Sequence, residues 1–119
     1  MNAMGLFRNA PNTITFTAGQ VIFEEGEAGD TMYVIQSGQV DIMLHGKLLE
    51  TAGEGGIFGE MALIDNQPRS GTVVAKTDCR VVPINQKQFL YLLGETPYFA
   101  IQVMHVMAER LRRQHVAQG

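Results

Sequence analysis

An antiparallel β sandwich or barrel followed by two helices is the fold this sequence predicts, and three observations carry the prediction. From Ile14 to Asn85 the chain is rich in Val, Ile, Thr, Phe and Tyr, with glycines at 19, 26, 29, 38, 46, 53, 55, 56, 59 and 71. That is the spacing of short strands separated by tight turns. Beyond Asn85 the apolar period lengthens to three and four residues, as a helix requires. At 119 residues the chain has room for one domain with one core.

Residues 1–13 show little periodicity and include Pro11, so they read as an arm or short helix packed on the body. Within the β part, Val40, Ile42 and Leu44 alternate with Gln39, Asp41 and Met43, the pattern of a half-buried strand. His45-Gly46 then turns it back into Lys47 to Ala52 as a hairpin. Two more strand-like runs, Gly71 to Ala75 and Arg80 to Ile84, close the β region at 14–85.

Asn85 is a good helix N-cap, and Gln88 stands three residues on, where a capping-box partner belongs. Phe89, Leu90, Leu92 and Leu93 supply the apolar face of a helix over 86–94, with Gly94 as its stop. Thr96-Pro97 opens a second helix over 97–117, the hydroxyl serving as cap and proline occupying the first helical position. Ile101, Met104, Ala108 and Leu111 fall three and four apart, with Val103 and Met107 widening the stripe. That stripe needs a partner, which is either the β core or the same helix of a second subunit.

Composition narrows the function classes. Hydrophobic residues make up 45% and charged residues 18% of the chain, ordinary for a soluble globular protein, and no stretch approaches the ~20 apolar residues of a membrane helix. The N-terminus lacks a signal-peptide pattern, which points to the cytoplasm. The single cysteine, Cys79, has no thiol partner and reads as a small buried hydrophobe. A net charge of −3 speaks against nucleic acid as a partner, and Arg110, Arg112 and Arg113 read as a solvated helix face. No metal site is expected, because His45, His105 and His115 are far apart in sequence. Neither a glycine-elbow serine nor a Gly-Lys-Ser/Thr loop occurs, so catalysis is not expected.

The run Gly59-Glu60-Met61-Ala62-Leu63, followed by Pro68-Arg69-Ser70-Gly71-Thr72, is where chemistry concentrates. Glycine lets a backbone approach a ligand closely, and successive N–H groups opening a short helix bind an anion. Arg69 adds a planar fork suited to phosphate. Glu60 would repel a phosphate, so its job is to accept a hydrogen bond from a sugar hydroxyl. Alternatively it pairs with Arg69, or with an arginine of the last helix.

Phe58 through Leu63 and Pro68 through Thr72 resemble the phosphate-binding cassette of the cyclic-nucleotide-binding domain, found in catabolite-activator-type regulators, cyclic-nucleotide-dependent kinases and cyclic-nucleotide-gated channels. Phe16, Ala18-Gly19, Ile22-Phe23, Gly26, Gly29-Asp30, Met32-Tyr33, Ile35 and Ser37-Gly38 resemble that domain's opening strands. The likeness spans about residues 14 to 113, placing a single domain over 14–119. It implies a mainly β fold with flanking helices, an antiparallel, jelly-roll-like β-roll followed by two C-terminal helices. It also implies a non-catalytic sensor binding a 3′,5′-cyclic mononucleotide through Phe58, Gly59, Glu60, Met61, Ala62, Arg69, Ser70 and Thr72. In the family this glutamate holds the ribose 2′-hydroxyl and this arginine pairs the phosphate. Cyclic AMP is the first expectation for the ligand and cyclic GMP the second, with no cofactor. Gly71 departs from the family's common alanine, and Gly56 replaces an acid often found there.

Ala108-Glu109-Arg110-Leu111 resembles the helix that lids the base in catabolite-activator-type domains, where residues three and four after the leucine reach the adenine. Those are Gln114 and His115 here, while channel-like members use an arginine, a role open to Arg112 or Arg113. The alternative is that this end frays into solvent. Expected partners are a homodimer through the C-terminal helix or an effector domain on another polypeptide. Two other readings stay open: a degenerate β-roll serving protein interaction without nucleotide, and the ligand-binding part of a transcription regulator lacking its DNA-binding domain.

Overall fold

The structure, a computed structural model, describes residues 4–118, with side chains described for 5–114. The short strands expected from the glycine spacing number eight and form two antiparallel sheets. They are β1 (Ile14–Phe16), β2 (Val21–Phe23), β3 (Thr31–Ser37), β4 (Val40–Leu44), β5 (Lys47–Ala52), β6 (Ile57–Phe58), β7 (Thr72–Ala75) and β8 (Cys79–Asn85). One sheet runs β1-β8-β3-β6 and the other β2-β7-β4-β5. Consecutive strands therefore alternate between sheets, and only the β4–β5 hairpin pairs neighbours in sequence. His45 and Gly46 both take positive φ, 53° and 79°, the geometry of a two-residue hairpin turn.

Period-two alternation divides β3 and β8 between two cores. Ile35, Val81 and Cys79 face the second sheet, where they meet Val40, Ile42, Phe58, Val73 and Ala75. Met32, Val34, Val82 and Ile84 face the helices, packing with Phe7, Leu63, Phe89, Phe99 and Val103. The described N-terminal residues pack on this side of the roll. Phe7, at the end of helix α1 (Met4–Phe7), packs on Phe99 at 6.1 Å between ring centres, and Gln36 Nε2 donates to the carbonyls of Phe7 and Ala10 at 2.9 and 3.1 Å.

Between β6 and β7 lies the short helix α2 (Met61–Ile64), and after β8 come α3 (Gln86–Glu95) and α4 (Pro97–Gln118). The capping box of α3 forms as read from sequence. Gln88 N–H donates to Asn85 Oδ1 at 2.9 Å, and Asn85 N–H donates to Gln88 Oε1 at 3.0 Å. Gly94 does not stop the helix, which runs on to Glu95. Thr96 is the junction: its N–H bonds the Leu92 carbonyl, while its own carbonyl accepts from Phe99 and Ala100.

The apolar stripe of α4 divides, with Val103 buried and Met107 packed against the core cluster. Ile101, Met104 and Leu111 are exposed, whereas Phe99, Gln102, Val103 and Arg110 are buried. Arg110 is thus not part of a solvated face. No helix among the described residues is long and apolar enough to cross a membrane.

Candidate functional site

A cavity of about 180 Å³ opens where the β4–β5 hairpin, the loop around α2 and the last turns of α4 converge. The sequence-predicted Phe58, Gly59, Glu60, Met61, Ala62, Arg69 and Ser70 all line it, and so does Gln114 of the expected lid. Ile42, Leu49, Val73 and Met107 give it an apolar floor and wall. Thr72 is elsewhere: its hydroxyl accepts from Glu25 N–H at 3.0 Å and ties the β2–β3 loop to β7. Arg112 and Arg113 do not line the cavity, and Arg113 lies 3.8 Å from Glu50. His115 falls outside the residues whose side chains are described.

Arg69 is only 7% exposed. Two backbone carbonyls fix its guanidinium, Nη1 donating to Gly59 O at 3.1 Å and Nη2 to Thr31 O at 2.8 Å. The Phe23 ring lies 4.0 Å beneath the guanidinium carbon, a favourable cation–π placement. Glycine is required on its flank, because a Cβ on Gly29 would come within 2.5 Å of Arg69 Cζ. No ion pair among the described residues involves Arg69. Its Nε makes no hydrogen bond among the described residues. Burial pushes the group below its ordinary pKa, opposed by Tyr33, Asp30, Glu27 and Glu60 nearby. A buried guanidinium without a carboxylate partner costs stability unless an anion arrives. Met61 and Ala62 stand beside it in the first turn of α2, where a helix has no acceptors for its own N–H groups.

Glu60, 4% exposed, takes the last of its sequence alternatives. It pairs with an arginine of the final helix, not with Arg69. Arg110 Nη1 donates to Glu60 Oε1 at 2.7 Å, Nε to Glu50 Oε1 at 2.6 Å, and Nη2 to the Ile57 carbonyl at 2.6 Å. One guanidinium thus links α4, β5 and β6 to the loop residue Glu60. The second oxygen of Glu60 accepts no hydrogen bond among the described residues, so it can take a ligand hydroxyl. Sequence reasoning allowed Glu60 an arginine of the last helix but read Arg110 as solvated, and it missed Glu50 altogether. The available signal was Arg110's place three and four residues beyond Met107 and Val106, which flank the buried side of α4.

Gly71 also has a steric reason. A Cβ there would come within 2.5 Å of the Met43 carbonyl, so the missing methyl lets β4 close against the cassette. The site therefore offers an anion-binding fork, a carboxylate oxygen free for a hydroxyl, and an apolar wall in one concavity.

The profile of the cyclic nucleotide-binding domain matches residues 13–96. The cAMP-dependent protein kinase regulatory subunit of Emericella nidulans is 38% identical over 88 residues, 72% of this chain and 21% of that protein. The chain accordingly spans about a fifth of the length of that curated relative. Among solved structures, cAMP-bound PfPKA-R matches with a TM-score of 0.81 at 30% identity, over 90% of this chain and 37% of the other. Thermus thermophilus catabolite activator protein matches with a TM-score of 0.76 at 28% identity, over 90% and 53%. The chain belongs to the cyclic nucleotide-binding domain family.

Proposed function

We propose that this domain is a sensor for a 3′,5′-cyclic mononucleotide, with cyclic AMP as its ligand ahead of cyclic GMP. The observation that carries the reading is Arg69, a buried guanidinium at the wall of a cavity with no carboxylate partner among the described residues. A cyclic phosphate supplies the missing counter-charge, Glu60 takes the ribose 2′-hydroxyl, and the apolar wall with Gln114 takes the base. Isothermal titration with cyclic AMP, cyclic GMP and linear AMP tests the assignment. A charge-assisted hydrogen bond is worth about 1.5–3 kcal/mol, so Arg69→Ala should weaken binding at least about tenfold. Arg69→Lys should also be costly, because an ammonium cannot reproduce the fork. Wild-type curves from both variants would remove Arg69 from the site.

A second feature of the reading concerns assembly. Ile101, Met104 and Leu111 are exposed on α4 and, with the half-buried Ala108, repeat at coiled-coil spacing. This supports pairing of two copies through α4, with signal output carried by the dimer or by a separate effector domain.

A further inference from the structure

Glu60 is useful to a ribose only while one of its oxygens stays free, and its neighbour threatens that freedom. Arg110 is a fork, and a buried fork facing one carboxylate closes on it with two parallel hydrogen bonds. Here it does not. Only Nη1 reaches Glu60, at 2.7 Å, while Nε, whose fork partner is Nη2, is taken by Glu50 at 2.6 Å. The Ile57 carbonyl holds Nη2 at 2.6 Å. Glu50 stands on β5, outside the cavity lining, while Glu60 and Arg110 are within it. An entering ligand therefore competes for Arg110 at Glu60 but cannot reach Glu50. Glu50 is also held from its other side, with Arg113 3.8 Å from Oε2.

We propose that Glu50 is a positioning residue for ribose recognition: it draws Arg110 aside so that Glu60 keeps an oxygen for the 2′-hydroxyl. The inference rests on the cyclic-nucleotide reading of the cavity. Without the Glu50 charge, the Nε–Nη2 edge is held by the Ile57 carbonyl alone, and the guanidinium turns that edge onto Glu60 and masks it. The loss then falls on ligands that carry the 2′-hydroxyl and spares those that lack it, a selectivity that general loosening of the fold does not produce.

The test measures affinities for cyclic AMP and its 2′-deoxy analogue in wild type, Glu50→Gln and Arg113→Ala, with thermal melts to check folding. In Glu50→Gln, cyclic AMP should weaken by about tenfold or more, the 2′-deoxy analogue by much less, so the ribo/deoxy ratio collapses. Arg113→Ala should keep the wild-type ratio, since Arg113 touches only the outer oxygen of Glu50. Should Glu50→Gln fail to fold, Glu50→Asp serves instead: its shorter carboxylate holds Nε less well, and the ratio should fall part way. A folded Glu50 variant with the full wild-type ratio would overturn the positioning role while leaving nucleotide binding intact. A wild type that binds neither nucleotide would overturn the functional reading and this inference together.

Discussion

Arg69 owes its position to what is missing beside it. Gly29 has ordinary negative-φ backbone, so alanine there strains nothing locally, and its methyl meets only the guanidinium. Gly29→Ala should therefore leave the melting temperature within a few degrees of wild type, yet lower cyclic-nucleotide affinity by about tenfold, close to the effect of Arg69→Ala. A titration that matches wild type would mean that the fork does not need the place it occupies. The contrast between Arg69 and Arg110 shows what a sequence can reveal of such a site. Gly59, Glu60 and Arg69 lie within one short run, so their chemistry can be read as a local motif. Arg110 meets Glu60 and Glu50 from 50 and 60 residues away, and its partners become neighbours only after α4 has docked.

At the scale of elements, the features fixed by neighbouring residues were the legible ones. The β4–β5 hairpin follows from alternation plus a turn that accepts positive φ, and the start of α3 follows from the reciprocal bonds of Asn85 and Gln88. Replacing Asn85 with alanine removes the acceptor for Gln88 N–H and should destabilise the domain by about 0.5–2 kcal/mol, read from denaturant midpoints at constant slope. An unchanged midpoint would show that the cap is idle. The orientation of α4 was not legible, and the reason is physical. Its buried side includes Gln102 and Arg110, polar groups that hydropathy counts as outward. Each is brought inside by partners from the β-roll: Gln102 Nε2 donates to Gly55 O at 3.0 Å, and Arg110 has its two acids. Those bonds fix the helix so that Val103 and Met107 turn inward while Ile101, Met104 and Leu111, which pattern alone would bury, stay exposed. Gly94 misled for a related reason, since α3 runs one residue past it and is closed by the Thr96 N–H on Leu92 O.

For the whole molecule, the outward stripe turns a question of assembly into one of affinity. Leu111 is 61% exposed on the stripe and also lines the cavity. A second α4 packed on the stripe would therefore press on a wall of the ligand site, and the two equilibria would be linked. Linkage is reciprocal: if dimer formation tightens nucleotide binding by some factor, nucleotide tightens the dimer by the same factor. The seam spans only two heptads and includes the small Ala108, so the unliganded dimer should be weak and concentration-dependent. Sedimentation equilibrium should then show association that strengthens on adding cyclic AMP. Met104→Glu puts a charge in the middle of the seam without touching the cavity or the core, since Met104 is 60% exposed and absent from the cavity lining. That variant should stay monomeric, keep its fold, and bind cyclic AMP with the affinity that the wild type shows at high dilution. If wild type and Met104→Glu sediment alike at every concentration, the stripe is not a self-association surface, and its apolar face belongs to a contact with another polypeptide.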